Sequence, residues 1–229
     1  MRRIEKGPEP ACLEEIRRTP GVNWNSAGGK QEMRESLWRE QRGLCAYCMS
    51  RLTEPSAAQM KIEHYIARSH DDTYSFDWSN LLGVCLGNVG VEGSKQLYHC
   101  DTHRGHLHKD KQELHVHPAQ FPPDAGTRFS CTKEGELIPS KSLDDSTKSR
   151  VQETIDKLNL NIPRLKRNRR EVLSVLQAKL RKDDTPGHIR AMLQAARHVD
   201  GGGRLMEYVE VAVQYLEKKL RQHGAAQSD

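Results

Sequence analysis

The chain has 229 residues with a net charge of +5 and a pI of about 8.9, and only 5% of its residues are aromatic. This length predicts one or two domains, and a positive excess of this size is compatible with nucleic-acid binding but also common in proteins that bind none. The sequence shows neither a signal peptide nor a stretch approaching the ~20 apolar residues of a membrane helix, so it predicts a cytoplasmic protein without a membrane span.

The first elements lead towards a pair of cysteines. Residues 1–29 contain several prolines and glycines and predict an irregular segment. A helix is predicted over residues 30–42, because Met33 and Leu37 share one face and Gly43 suits the C-terminal end of a helix. The chain then enters directly into a Cys-x-x-Cys turn.

Four of the six cysteines form two pairs, an arrangement that indicates a structural zinc site. These four are Cys45, Cys48, Cys85 and Cys100. Fourteen residues separate the second pair, so His99 or His103 is an alternative to Cys100 as the fourth ligand. Reduced thiols in the cytoplasm favour metal ligation over disulfides, and the two remaining cysteines, Cys12 and Cys131, are interpreted as ordinary small residues.

An acidic residue and a histidine stand side by side between the two cysteine pairs. Residues 61–66 alternate apolar and polar side chains and predict a half-buried strand that carries Glu63 and His64. Apolar character resumes between residues 78 and 85, around Asn80. A carboxylate beside an imidazole can hold a hard metal ion next to a general base.

The second half of the chain changes character. Residues 118–146 carry several prolines and glycines and predict a connector with one hairpin around residues 133–135. Residues 147–229 contain four apolar stripes at helical spacing, which predict a mostly α-helical region. The fold class expected for the whole chain is therefore α+β.

One basic segment in the helical half is a candidate nucleic-acid surface. Its members are Arg164, Lys166, Arg167, Arg169 and Arg170. Such a density of cations can follow phosphates along a backbone. The alternative, a solvated helix face with apolar residues turned inward, fits the same pattern equally well.

The order of these motifs resembles the ββα-metal core of HNH endonucleases. The matching residues are Cys45-Ala-Tyr-Cys48, Glu63-His64, Asn80-Leu81-Leu82, Cys85 and Cys100-Asp101-x-x-Arg104. More closely, the chain looks like the PtuB-like nuclease subunits of Septu antiphage defence systems, which share the Cys-Ala-Tyr-Cys turn and an Ile-Glu-His strand. The resemblance covers about residues 30–110 and implies a zinc-stapled ββα-metal core over residues 30–117, with flanking helices.

The resemblance also implies catalytic roles. His64 is expected to be the general base that deprotonates the attacking water, since the pKa of an imidazole lies near neutrality. Asn80 is expected to orient His64 through a hydrogen bond. Arg104 lies where relatives often carry lysine and is expected to contact the scissile phosphate.

The resemblance further implies a catalytic Mg²⁺ or Mn²⁺ in addition to the structural Zn²⁺. Glu63 is expected to be one ligand of this ion. Asp101 stands where the family usually has histidine or asparagine and is the expected second ligand. His103 is a rival for that position.

The implied function is hydrolysis of DNA phosphodiester bonds in antiphage defence, together with a PtuA-like ABC-type ATPase partner. Residues 147–229, with the segment 1–29, are candidate surfaces for this partner or for DNA. Two alternatives stay open: a zinc-stapled nucleic-acid or protein binding module with an inactive HNH remnant, and a nuclease that works alone. A retron-linked context cannot be told apart from a Septu context in the sequence, which also leaves open whether the target is DNA only or also RNA.

Overall fold

The computed structural model describes residues 1–90, 95–121 and 128–226. Seven α-helices and four β-strands lie within these ranges. In chain order they are α1 (Ala11–Arg18), α2 (Lys30–Glu40), β1 (Met60–His64), β2 (Leu81–Cys85), α3 (Cys100–Arg104), β3 (Phe129–Cys131), β4 (Leu137–Pro139), α4 (Asp145–Lys157), α5 (Pro163–Leu180), α6 (Pro186–Arg197) and α7 (Val209–Ala226). None of the described helices has the length and apolar character needed to cross a membrane.

The N-terminal segment is the main departure from the predicted elements. Residues 1–29 were expected to be irregular, but α1 forms within them and buries Cys12, Leu13 and Ile16. The prolines explain the difference, because Pro10 precedes the first helical residue in an extended conformation and Pro20 lies beyond the last one. Proline at such flanking positions delimits a helix instead of interrupting it.

The other predicted elements are confirmed. The helix over 30–42 is α2, the strand over 61–66 is β1, the predicted hairpin is β3 with β4, and the four apolar stripes are α4 to α7. Helix α4 begins two residues before the predicted position, because the Asp144 side chain caps it by accepting a hydrogen bond from Thr147 N at 2.9 Å. Parts of the predicted connector, 122–127, and of the glycine-rich loop, 91–94, lie outside the described residues.

A two-stranded sheet carries the central motifs. Strand β1 pairs antiparallel with β2, so that Met60 lies opposite Cys85 and His64 lies opposite Leu81. The chain segment 65–80 connects the two strands at the His64 end. The sheet therefore presents a cysteine at one end and the acid–histidine pair towards the other.

A buried glutamine ties α2 to this sheet. The Gln41 amide donates hydrogen bonds to the carbonyl oxygens of Leu44 (2.8 Å) and Gly83 (2.7 Å), and its oxygen accepts from Gly83 N (2.7 Å). A side chain at position 83 would come within 2.7 Å of the Met60 methyl group, so glycine allows this close approach. The Cys-x-x-Cys turn, which follows α2, is thus fixed relative to β2.

One buried core spans the two halves of the chain. The same cluster of apolar side chains contains Leu37 of α2, Leu81 of β2, Ile155 of α4 and Leu165 of α5. A second cluster joins α5, α6 and α7. The helical half therefore packs against the sheet and the cysteine turn as part of one core.

Buried His117 predicts a loss of stability in mild acid. Its Nδ1 accepts a hydrogen bond from Ala119 N (3.1 Å) and burial lowers its pKa to about 4. The folded state therefore keeps His117 neutral, whereas the unfolded state binds a proton below pH ~6.5. As the pH falls from about 6.5 towards 4, this difference should remove stability, about 2 kcal/mol at pH 5.

The measurement is urea unfolding at pH 7 and pH 5 for the wild type and His117→Asn, which keeps an acceptor but does not titrate. The variant should lose less stability between the two pH values. His108→Asn is the matched control, because it makes the same substitution at a histidine whose side chain is 80% exposed. Equal pH dependence of the wild type and His117→Asn would contradict the interpretation.

Candidate metal centres and acid–base site

The four cysteines predicted as zinc ligands meet at one point. Their sulfur atoms all lie within 4.8 Å of one another, with Cys45 Sγ 3.8 Å from Cys100 Sγ and Cys48 Sγ 3.8 Å from Cys85 Sγ. A tetrahedral zinc ion with Zn–S bonds of about 2.3 Å requires sulfur separations of about 3.8 Å. The cluster therefore has the donor set and spacing for a zinc ion.

Backbone geometry builds this cluster. Met49 has a φ of +63° directly after the Cys-x-x-Cys turn, and its N–H donates to Cys45 O (3.0 Å), which closes the turn. Cys100 also has a positive φ, +55°, and its N–H donates to Leu158 O at the end of α4 (2.8 Å). The helical half thus helps to hold the fourth cysteine in place.

Neither alternative histidine replaces Cys100 in the cluster. His99 Nε2 lies 3.5 Å from Cys85 Sγ and 3.4 Å from an Arg164 guanidinium nitrogen, beside the four sulfurs. His103 Nδ1 donates a hydrogen bond to Lys157 O (3.0 Å), the last residue of α4, so this nitrogen is not available to a metal ion. These positions favour Cys100 as the fourth ligand and leave Asp101, not His103, beside Glu63.

Two carboxyl groups meet on the face of β1 that points towards α3. Glu63 is buried, and its Oε1 accepts from Arg104 Nη1 (2.6 Å) and the Tyr47 hydroxyl (3.3 Å). Asp101, in the first turn of α3, accepts from Lys61 Nζ through Oδ2 (3.1 Å). The Glu63 and Asp101 carboxyl groups lie close enough for each to shift the pKa of the other.

The electrostatics of this pair fit a cation. Burial and the negative charge of Asp101 raise the pKa of Glu63 well above its ordinary value. Burial acts to raise the pKa of Asp101 too, but hydrogen bonds from Glu63 and Lys61 outweigh it and lower the pKa. A cation bound between the two carboxyl groups would offset their mutual repulsion and the cost of burying them. Two neighbouring carboxylates can ligate a hard divalent ion.

His64 has the protonation state of a base. It is 7% exposed, and its Nε2 lies 3.1 Å from Ser75 O; a carbonyl only accepts, so Nε2 carries the hydrogen. The Nδ1 lone pair is then free to accept a proton. Burial lowers the pKa of His64 to about 4, which keeps the ring neutral near pH 7.

Asn80 acts on the loop that follows His64 and not on the imidazole. Its Oδ1 accepts from Ile66 N (2.7 Å), and its Nδ2 donates to Ile66 O (3.2 Å) and Tyr74 O (3.1 Å). No hydrogen bond joins Asn80 to the His64 ring within the described structure, so that part of the prediction is corrected. Asn80 instead fixes the backbone leading to Ser75, the residue that binds His64.

Arg104 is also corrected, because its guanidinium is turned inward. The residue is 3% exposed, and besides Glu63 it donates to the carbonyl oxygens of His64 (3.2 Å), Tyr65 (2.7 Å) and Gln112 (2.7 Å). A side chain with these partners is not available to a substrate phosphate. Its role is to hold Glu63 and the end of β1 in position.

A cationic patch beside His64 has no counterpart among the predicted site residues. The Trp24 ring meets the His64 ring edge-on at 4.3 Å, and Lys30 Nζ (5.3 Å) and the Arg68 guanidinium (5.9 Å) lie over Trp24. Burial, followed by repulsion from Arg34 and Arg68, lowers the pKa of Lys30. Among the described residues no acidic side chain pairs with these three cations. The only available signal in the sequence was the spacing of Lys30 and Arg34 on one face of α2.

The basic segment of α5 divides into two faces. Arg169 is fully buried and donates to Gly135 O (2.6 Å) and Leu160 O (2.9 Å), so it cannot contact nucleic acid and this part of the prediction is wrong. The physical reason is its place between buried Leu165 and Leu173, one turn away on either side. The other four side chains reach solvent, and their role in nucleic-acid binding stays a prediction: Arg164, Lys166, Arg167 and Arg170.

Comparison with known proteins agrees with the resemblance seen in the motifs. The chain is 28% identical over 206 residues to an Escherichia coli protein named as the HNH endonuclease of retron Ec83, covering 76% of this chain and 79% of the relative. It is 27% identical over 152 residues to the corresponding retron Vc95 protein of Vibrio cholerae, covering 65% and 67%. It is 26% identical over 140 residues to the Septu protein PtuB of Bacillus thuringiensis, covering 61% of this chain and 45% of PtuB. No protein-family model matches the chain. These relatives confirm its resemblance to HNH endonucleases and to PtuB.

Proposed function

We propose that this chain is a metal-dependent HNH endonuclease that hydrolyses DNA phosphodiester bonds in antiphage defence, together with a PtuA-like ABC-type ATPase. The observation that carries the proposal is the pairing of Asp101, on α3, with Glu63, on the strand that ends in neutral His64. A binding module would not require an acid pair and a free imidazole lone pair at one site. Relatives named as HNH endonucleases support the same reading.

Each residue of the site has a separate role in the proposed reaction. His64 accepts a proton from the attacking water at Nδ1 while Ser75 O holds its Nε2–H. Glu63 and Asp101 would hold Mg²⁺ or Mn²⁺, which supplies electrostatic stabilisation of the leaving oxygen and of the charge on the phosphoryl group. Arg104 holds the Glu63 carboxylate in position through a hydrogen bond to Oε1.

The cysteine cluster would bind structural Zn²⁺. Cys100 directly precedes Asp101, so a zinc ion on Cys100 would also fix the start of α3 and the position of the Asp101 carboxylate. The cations around Trp24 support a polyanionic substrate, because they lie beside His64 without acidic partners in the described ranges. The similarity to a protein named as Septu PtuB supports a partner subunit for this chain.

The test is plasmid cleavage by the chain co-expressed and co-purified with the ATPase, with Mg²⁺ or Mn²⁺ added or omitted. Cleavage should require the added ion and should be lost in Asp101→Asn, which removes a ligand charge but keeps the side-chain shape. Asp110→Asn is the matched control, since the Asp110 side chain is 69% exposed and pairs with His108.

Three outcomes would count against parts of the proposal. Equal cleavage by the wild type and Asp101→Asn would mean that the carboxyl pair is not the catalytic centre. A complex that binds DNA but does not cleave it under any metal condition would favour the inactive binding module. Failure of the chain to co-purify with the ATPase would contradict the proposal that the ATPase is its partner.

A further inference from the structure

A large groove lies between the β3–β4 hairpin and α7, away from the acid–base site. Its volume is about 1470 Å³, and Glu63, His64 and Asp101 are not among the residues that line it. Among the described residues, eight basic and two acidic side chains line the groove, a net charge of +6. The whole chain has a net charge of only +5, so the groove concentrates the positive charge of the molecule.

Most of these cations are not neutralised inside the protein. The two acids are engaged by two of the cations, with Arg2 Nε 4.0 Å from Glu210 Oε1 and Arg197 paired with Glu217. Five further cations have no acidic partner in the part of the chain that the structure describes. They are Arg42, Lys141, Lys218, Lys219 and Arg221.

Cations from separate parts of the chain meet in this groove, which argues against an ordinary solvated helix face. Arg42 follows α2, Lys141 follows β4, and the remaining unpaired cations lie on α7, so three separate parts of the chain bring their charge to one concave surface. The hairpin wall adds hydroxyl groups, including those of Ser140 and Ser142. Cations and hydroxyl donors along a groove are the groups that contact phosphate oxygens of a nucleic-acid backbone.

We propose that this groove binds the phosphodiester backbone of a nucleic acid at a place distinct from the cleavage site. Tyr215 is the single aromatic residue among the lining residues, whereas protein–protein interfaces are enriched in aromatic anchors. The scarcity of aromatic rings also indicates that the strand is held by phosphates and not by stacked bases. The inference rests on the proposed function only for the choice of DNA as the probe.

The test is fluorescence anisotropy with the full-length, zinc-loaded chain and two labelled probes, a single-stranded DNA and a duplex of the same sequence, without Mg²⁺. Lys218→Glu combined with Arg221→Glu reverses two exposed charges on α7. This variant should weaken binding about tenfold or more and should lower the salt dependence by about 0.9 per lost phosphate contact on duplex DNA. Comparing the two probes shows whether the backbone comes from a single strand or a duplex.

The matched control is Lys179→Glu with Lys182→Glu, which has the same charge change and the same spacing at the exposed C-terminal end of α5, outside the groove. Zinc content and melting temperature verify that both variants are folded. Equal weakening by both pairs would mean a general charge effect, and weakening by the α5 pair alone would place the binding surface on α5; both overturn the proposal. Unchanged DNA binding together with lost ATPase co-purification in the α7 variant would also overturn it, in favour of an acidic protein segment.

Binding in the groove can be tested independently of the nuclease activity. Asp101→Asn should bind both probes as the wild type does, because Asp101 does not line the groove. Intact binding with lost cleavage in that variant, and weakened binding in the α7 variant, would establish two sites. If the α7 variant binds normally while Asp101→Asn loses cleavage, the groove proposal fails and the proposed nuclease function stands.

Discussion

His64→Ala should reduce plasmid cleavage by about 10²–10⁴-fold, the usual contribution of a general base. The expectation follows from the geometry of the imidazole, whose Nε2–H is held by Ser75 O at 3.1 Å while Nδ1 is free to accept a proton. The low pKa of about 4, caused chiefly by burial, means that the base is already neutral at physiological pH. Cleavage would be measured on supercoiled plasmid with the co-purified complex and saturating Mg²⁺.

A second substitution separates catalysis from folding. His64→Gln keeps a side-chain amide that can donate to Ser75 O but cannot act as a base at neutral pH. Both variants should therefore be inactive, retain one zinc per chain and co-purify with the ATPase. His70→Ala is the control on an exposed histidine in the following loop. Cleavage by His64→Gln within about threefold of the wild type would show that another group activates the water.

The order of motifs in the sequence was enough to predict that the four cysteines lie together. Elements with a clear local pattern were also predicted, including the strand that carries Glu63 and His64. The directions of side chains were harder to predict. Arg104 was expected to face a phosphate, but a five-residue helix gives no periodic signal that would have shown its inward orientation.

Arg169 shows the opposite case, in which the signal was present. Leu165, Arg169 and Leu173 follow one another at intervals of four residues and all lie on the buried face of α5. The spacing of the apolar residues in α5 would have placed Arg169 on the buried face, whereas its neighbours in the basic segment lie on the exposed face. The patch at Trp24, by contrast, depends on tertiary contacts between α2, the loop after β1 and the N-terminal segment, which no local pattern encodes.

The relation between the two halves of the chain could not be read from the sequence either. Tyr208, just before α7, donates its backbone N–H to Met49 O (3.2 Å), and its hydroxyl lies 2.8 Å from Ser50 Oγ. The helical half therefore supports the Cys-x-x-Cys turn directly. Point substitutions on its surface are better tests of partner or DNA binding than deletion of residues 147–229, which would remove part of the core around the cysteines.

Cys100→Ser should abolish zinc binding and lower the free energy of unfolding by several kcal/mol, a large part of the about 5–15 kcal/mol typical of a folded domain. The substitution removes one of four sulfurs that lie within 4.8 Å of one another. Zinc would be measured by elemental analysis of the purified protein, and stability by urea unfolding. Cys131→Ser is the control, because Cys131 is partly buried but lies outside the cluster.

The same substitution should also abolish cleavage, although Cys100 does not contact the acid–base site. Cys100 has a left-handed backbone conformation at the start of α3 and is followed directly by Asp101, so its release from zinc would free the carboxylate that pairs with Glu63. Asp101→Asn, by comparison, should lose cleavage and keep its zinc. If Cys100→Ser retains one zinc per chain and unfolds as the wild type does, His99, with Nε2 3.5 Å from Cys85 Sγ, becomes the better candidate for the fourth ligand. In that event the zinc would act on the position of Asp101 through His99, two residues earlier in the chain, and not through its direct neighbour Cys100.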